Sequence, residues 1–337
     1  MYTDEDLDAA VTAGILDTRT AAAFRTFVVA RQGGRLADEE HFRLLTGFND
    51  IFVSIALTLV LAALAGLGML VYPGVAGALV AGAAWGLAEY FTRRRRMALP
   101  SLLLLLAFTA ALGAGLSFSL MPLLPVPQQP YGMLAGAMLA TAGALAHWRR
   151  FRVPVTVAAG VGAAAAAVLA LVLAVFPDAA PVLPWLVLPA GMVVFTLAMR
   201  WDASDRDRAT RRSDVAFWLH LLAAGMIVHP VFGLLPNLSS PVAGAGLVLA
   251  VYAVLMAVAL ITDRRAILVS SLVYVLYAVV SAVTHSTVLA GSSIGWALVA
   301  LPVGSVLLLF SAFWHSARRT LLRRMPQAIR DRVPVAG

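Results

Sequence analysis

Residues 51–71 read IFVSIALTLVLAALAGLGMLV, an apolar run without a charge. A helix needs ~20 such residues to cross the hydrocarbon core of a bilayer, whereas a barrel strand would be shorter and would alternate. The run predicts a membrane-spanning helix. Further runs of the same kind follow at 73–91, 98–120, 131–147, 153–176, 182–200, 215–235, 241–262, 266–288 and 292–314. The whole chain of 337 residues is 61% hydrophobic and 12% charged, with a mean hydropathy of +0.89. Soluble domains are about half apolar and a quarter charged, so the excess here has to face lipid. The expected fold class is all-α: a polytopic transmembrane helix bundle of about ten spans over 51–315. A small helical segment precedes it at 1–50 and a basic tail follows at 316–337.

The connections between the runs alternate in charge. Arginines cluster at 93–96, 149–152, 200–212, 264–265 and from 318 onward, while the connections near 72, 121–130, 177–181, 236–240 and 289–291 contain none. Basic loops stay on the cytoplasmic side. The arginine loops and both termini are therefore expected in the cytoplasm, in a bacterial inner membrane. Merging or adding a pair of runs would give eight or twelve spans with the same alternation.

The first 50 residues are polar, with five arginines and nine acids, and no cleavable leader is expected. Thr3 with Asp6 reads as a helix start and Gly14 as its stop. Asp17 caps a second helix bearing Phe24, Phe27 and Val28, and a third begins near Ala37 with Phe42, Leu45 and Phe48 at helical spacing. The first span then opens on Asn49 and Asp50, which suit the positive end of a helix.

Several chemistries are excluded by composition. Without cysteine there are no disulfides, thiolate metal sites or cysteine nucleophiles. All 25 basic residues are arginine, so no lysine is present to form a retinal or pyridoxal Schiff base. The net charge of +8 lies at membrane edges, so no nucleic-acid partner is expected. No catalytic motif, cofactor site or metal site stands out, and the chain does not read as an enzyme.

Ionisable residues inside spans are the natural suspects for function. Glu89 stands four residues before Arg93, the favourable order for an ion pair on one helix face. His220 and His229 share one helix but lie about 180° apart around it. His229 and His285 sit ~21 and ~29 Å from the arginine side of their spans at ~1.5 Å per residue, so a haem between them would need a shifted or bent helix. His147 and His220 lie nearer one depth. The stretch 200–214, RWDASDRDRATRRSD, reads as a solvated loop. Arg93, Arg94, Arg95, Arg96, Arg149, Arg150, Arg152, Arg211 and Arg212 are candidates for docking anionic lipid heads or a partner.

An internal repeat is suggested by an offset of 113 residues. It carries Leu188-Pro189-Ala190-Gly191 onto Leu301-Pro302-Val303-Gly304, Trp201 onto Trp314 and Arg152 onto Arg265. Four helices at 97–201 would then recur at 210–314 in the same orientation. Paired mid-span prolines break a helical hydrogen bond and point to a cavity shaped by Pro189 and Pro302, with His220, His229 and His285 as further candidates. The pairs Gly82/Gly86 and Gly132/Gly136 and the Ala/Gly stretch 158–167 read as close-packing faces.

The stretches AEYFTRRRRMALPS (88–101), FNDIF (48–52), SDVAFWLHLLA (213–223), DRRAILVS (263–270) and AAVTAGIL (9–16) resemble polytopic membrane proteins of proteobacteria, a predicted-membrane-protein family of unknown function. The resemblance implies topology and bacterial origin, and it brings no activity with it. Three functions are open on the residues. One is a transporter or handling protein for a lipid-like or neutral small molecule, with membrane lipids as its partners. The second is a scaffold docking other proteins on its cytoplasmic face. The third is a histidine-ligated haem protein.

The absence of cysteine makes the topology directly measurable. A Ser204→Cys variant should react with a membrane-impermeant maleimide only after the membrane is opened, and Ala180→Cys should react from outside intact cells. The opposite pattern would overturn the orientation.

Overall fold

The computed structural model describes residues 4–24, 26–27, 48–205, 210–233, 241–284 and 312–327, with single or paired positions at 297, 301, 304–305, 308–309 and 333. The chain divides into two units, Met1–Phe42 and Arg43–Ala336.

In the first unit, helix α1 (Asp4–Thr12) ends at Gly14, whose φ of 68° is the left-handed conformation glycine adopts without strain. The Ile15 amide then donates to the Ala10 carbonyl (2.9 Å) and the Gly14 amide to Val11 (3.1 Å), a Schellman-type closure. Helix α2 (residues 18–24) is capped by Asp17, which accepts from the Thr20 amide at 2.7 Å and the Thr20 hydroxyl at 2.6 Å. The hydroxyl bond above all holds the Asp17 carboxyl below its ordinary pKa. The third helix expected from Ala37 lies outside the described residues.

The second unit is a succession of long helices: α3 (Phe48–Met69), α4 (Pro73–Ala88), α5 (Ala98–Leu120), α6 (Gln129–Phe151), α7 (Val155–Val175), α8 (Leu183–Ala203), α9 (Arg211–Gly233), α10 (Pro241–Thr262) and α11 (Ala266–Thr284), then the shorter α12 (Trp314–Arg323). Among the described residues six of these regions are long and apolar enough to cross a membrane: Asn49–Met69, Pro73–Arg94, Ala98–Leu123, Val155–Val175, Pro177–Ala203 and Arg211–Gly233. Helix α6 has the length, but its Ala/Gly body and its His147-Trp148-Arg149-Arg150 end dilute its apolarity. Most of the run at 292–314, and with it Pro302 of the expected repeat, lies outside the described residues. Large apolar side chains are exposed all along the helices, among them Leu59 (67%) and Val193 (68%). Such a surface is compatible with an integral membrane protein.

Most helices adjacent in sequence pack against one another, with α5 on both α4 and α6 and α8 on α9, and α9 packs also on α7 and α11. Three clusters form the interior. Leu57, Leu61, Val80, Ala84, Leu104 and Phe108 join α3, α4 and α5. Ala158, Val194, Ala198, Val215 and Leu219 join α7, α8 and α9. Val228, Phe232, Leu260, Ile267 and Trp314 join α9 to α12.

Three hairpins at the arginine-bearing end share one device. Arg96, Arg152 and Asp263 have φ of 54°, 57° and 55°, so α4–α5, α6–α7 and α10–α11 each turn through a left-handed residue that is not glycine. Ahead of the first of these turns α4 widens into a π-helical turn, Glu89–Arg94.

Of the two glycine pairs read as packing faces, one behaves so. A Cβ on Gly136 would stand 2.1 Å from the Ser117 hydroxyl and 2.3 Å from the Gly113 carbonyl of α5. Around Gly82 and Gly86 nothing lies within 4 Å, because this face of α4 turns away from its neighbours. Gly136→Val should therefore lower stability by about 1–3 kcal/mol through overpacking, read as the midpoint of thermal unfolding in detergent, while Gly86→Ala, in open space inside a helix, should not lower the midpoint.

Candidate functional site

An open cleft of about 830 Å³ lies between α5, α6 and α7, within the range of small-molecule sites. Helices α5 and α7 both pack closely on α6 but hardly on each other, so α6 forms the back of the cleft and the other two form its walls. One wall carries Leu106, Thr109, Ala110, Gly113, Ala114, Ser117, Phe118 and Met121. The other carries Ala159, Gly162, Ala163, Ala166, Leu169, Ala170 and Leu173, and Met133, Ala137 and Ala140 form the back. Among the described residues the only polar side chains in the lining belong to Thr109 and Ser117. Thr109 spends its hydroxyl on the Leu105 carbonyl, 3.0 Å away, which leaves the lining still more apolar. Leu106, Phe118 and Met133 stand exposed along the lining, as they would beside lipid.

The Ala/Gly face of α7 does not serve throughout as the close-packing surface its composition suggests. Ala163 and Ala166 keep one side of α7 slim, and the space there becomes cleft instead of contact, while a Cβ on Gly162 would stand 3.5 Å from Leu222 of α9. Pro189 is exposed on α8 and is not a lining residue; α8 reaches the cleft only through Leu183. Pro302 and His285 lie outside the described residues.

A second cluster forms at the arginine-bearing end. Asp202, His220 and Arg264 are 1%, 0% and 2% exposed. Arg264 grips the Asp202 carboxylate with two bonds, Nη2 to Oδ1 and Nε to Oδ2, the second at 3.2 Å. His220 Nε2 meets Asp202 Oδ2 at 2.8 Å, and Arg264 also reaches the Ser213 carbonyl at 3.4 Å. Asp202 occupies the last turn of α8, where the helix dipole disfavours a carboxylate, so the guanidinium has to offset both dipole and desolvation. The flanking residues act in the same corner. Asp263 accepts from the Trp314 indole at 2.9 Å and lies 3.6 Å from Arg318, while Arg265 sits 5.0 Å over the Trp314 ring. Successive residues 263–265 thus fasten α8, α9 and α12 to the α10–α11 turn.

This corner corrects the reading of 200–214 as a solvated loop. Helix α8 runs on through Asp202, and Asp205 is also buried, accepting from the Thr210 amide (3.0 Å) and hydroxyl (2.7 Å) at the start of α9. The signal in the sequence was an acid directly after an aromatic at a span's end, with an arginine in the next basic turn. Charge counting hides it, because the neighbouring residues are also charged.

The histidines go to separate places. His147 is 1% exposed among Trp85, Phe108 and Phe151, with Nδ1 3.2 Å from the Thr156 hydroxyl, and its Nε2 has no partner among the described residues. His220 instead lies against Asp202 and Phe195, and the two sets of neighbours have no residue in common. His229 bonds the Tyr274 hydroxyl on α11. No group of three or more His, Cys, Asp or Glu forms a metal-holding set among the described residues.

Glu89 pairs with Arg93 at 3.4 Å, but more closely with Arg150 of α6, at 2.6 and 3.0 Å. Arg95 lies over the Tyr90 ring and donates to its hydroxyl at 3.1 Å. Arg94, Arg96, Arg149, Arg152, Arg211 and Arg212 are exposed. No protein-family model, curated protein or solved structure matches the chain.

Removing one member of a buried ion pair leaves the other uncompensated, at a cost of about 3–5 kcal/mol. Arg264→Met should lower the thermal midpoint strongly, and Asp202→Leu combined with Arg264→Met should recover most of the loss. Equal losses in the single and double variants would show that the pair does not act as a unit.

Proposed function

We propose that this is a protein of about ten spans in a bacterial inner membrane, with both termini cytoplasmic, that binds and moves a lipid-like or neutral solute. The observation carrying this reading is the cleft between α5, α6 and α7: its volume is that of a ligand site, its lining is apolar, and its walls bear side chains exposed along the helices. Such a site recognises by shape and dispersion, and has no charge with which to hold an ion. The buried corner around Arg264 supplies the frame, since it joins α8 to α12 at one end. A scaffold that docks partners on its cytoplasmic face is the second reading, favoured by the exposed arginines at the ends of α4, α6 and α9.

Native mass spectrometry of protein extracted gently from its own membrane tests the choice. A stoichiometric lipid or neutral metabolite should accompany the chain, and Ala163→Trp, which fills the cleft, should reduce its occupancy at least tenfold. Val168→Trp, on the same helix but outside the lining, should not. A bare chain, or one accompanied by another protein, would favour the scaffold.

A further inference from the structure

The two ends of the cleft differ. Past its lining at the arginine-bearing end, Leu105, His147 and Thr156 are at most 1% exposed. There α6 and α7 meet: a Cβ on Gly160 would stand 3.3 Å from the Ala144 Cβ, and His147 Nδ1 lies 3.2 Å from the Thr156 hydroxyl. At the other end Phe118, Leu123, Val175 and Phe176 are all exposed. The cleft is therefore blind towards the arginines and open towards the arginine-free end.

Near the open end the lining has a hydroxyl with nothing to bond. Ser101, Thr109 and Ser119 on α5 and Thr141 on α6 each donate to the carbonyl four residues back, as such side chains do inside helices. Ser117 is half-buried in the lining and makes no hydrogen bond among the described residues. It stands over Gly136 of α6, where a Cβ would come within 2.1 Å of the hydroxyl, so the glycine leaves that oxygen uncovered. A hydroxyl in apolar surroundings is unsatisfied until a polar group meets it.

The level of Ser117 says which polar group that is. Ser117 is ~5 Å from the end of α5 at Leu120, and from Ser117 to Leu106 the wall runs ~17 Å, at ~1.5 Å of rise per residue. One leaflet of a ~30 Å hydrocarbon core is ~15 Å deep. An ordinary acyl chain with its terminal methyl at the blind end therefore brings its ester carbonyl to Ser117. No charged residue lines the cleft, so a charged head has to stay outside the mouth.

We propose that the cleft holds an acyl chain of an ester-linked lipid, taken from the leaflet at the arginine-free end, and that the Ser117 hydroxyl donates to its ester carbonyl. The chain enters methyl-first and its head remains at the mouth. This rests on the solute-binding reading above and names the ligand class, its direction and the residue that reads it.

The test titrates the full-length protein in detergent with three probes followed by native mass spectrometry: monooleoylglycerol, its ether analogue oleylglycerol, and oleoyl lysophosphatidylcholine. Both esters should bind, and the ether should bind about fivefold more weakly than monooleoylglycerol, the loss of one neutral hydrogen bond. Ser117→Ala should weaken both esters by the same factor and leave the ether unchanged. Should that variant not fold, the comparison of ester with ether on the unaltered protein decides alone. A tighter glyceride points to a neutral glyceride as the source, and a tighter lysophospholipid to a phospholipid; either supports the proposal. A monooleoylglycerol with a photoactivatable diazirine at its chain end should label the protein around Leu106, Ala140 and Ala159. Labelling around Phe118 and Met121 instead would overturn the direction. Equal binding of ester and ether, with no effect of Ser117→Ala, would overturn the role of Ser117 and leave solute binding standing. No binding of any probe, with no effect of Ala163→Trp on the lipid carried from the native membrane, would overturn this proposal and the solute reading together.

Discussion

A helix in hydrocarbon gains nothing by hiding leucine from its surroundings, because lipid is as apolar as leucine. Association has to come from close approach and from polar contacts, and this bundle divides the two between regions. Along α4, α5 and α6 the contacts are made by Gly77 against Gly115 and by Gly136 against Gly113, where a single added carbon would meet backbone. At the arginine-bearing end the work passes to Asp202, Arg264, Asp263 and Trp314, whose bonds cross between elements far apart in sequence. Where neither device operates, as between α5 and α7, the helices part and leave a cleft.

The buried corner is a specificity device as well as a fastening. A guanidinium at 2% exposure tolerates few arrangements of its neighbours, so Arg264 fixes the relative position of α8, α9 and the α10–α11 turn. His220 adds a third direction of constraint on the same carboxylate. The imidazole of His147 has a softer setting of three aromatic rings and one hydroxyl, and it brings together α4, α5, α6 and α7. Each part of the bundle thus has a histidine near its basic end, held by different chemistry.

The helices were legible because runs such as 51–71 and 98–120 are long and uncharged, and because the arginine clusters mark alternate connections. Asp17 as a cap and Gly14 as a stop were legible from short-range stereochemistry alone. The cleft was not. Its lining residues Gly162, Ala163 and Ala166 have the composition of a packing face, and whether a neighbour covers such a face depends on how α5 and α7 splay on α6. Pro189 pointed to a cavity on general grounds, yet a proline interrupts a helix equally well when it is exposed. Asp202 was hidden by its surroundings: a charged stretch looks solvated until the helix is seen to continue through it.

The left-handed residues at Arg96, Arg152 and Asp263 bear on how such a chain can change over evolutionary time. Each costs about 1–2 kcal/mol that glycine would have avoided, and each stands where the chain reverses within a few residues. A reversal this short makes two helices and their turn a self-contained module. Duplicating or deleting one module leaves every remaining basic turn on its original side, so the number of helices can drift by twos while polarity is conserved.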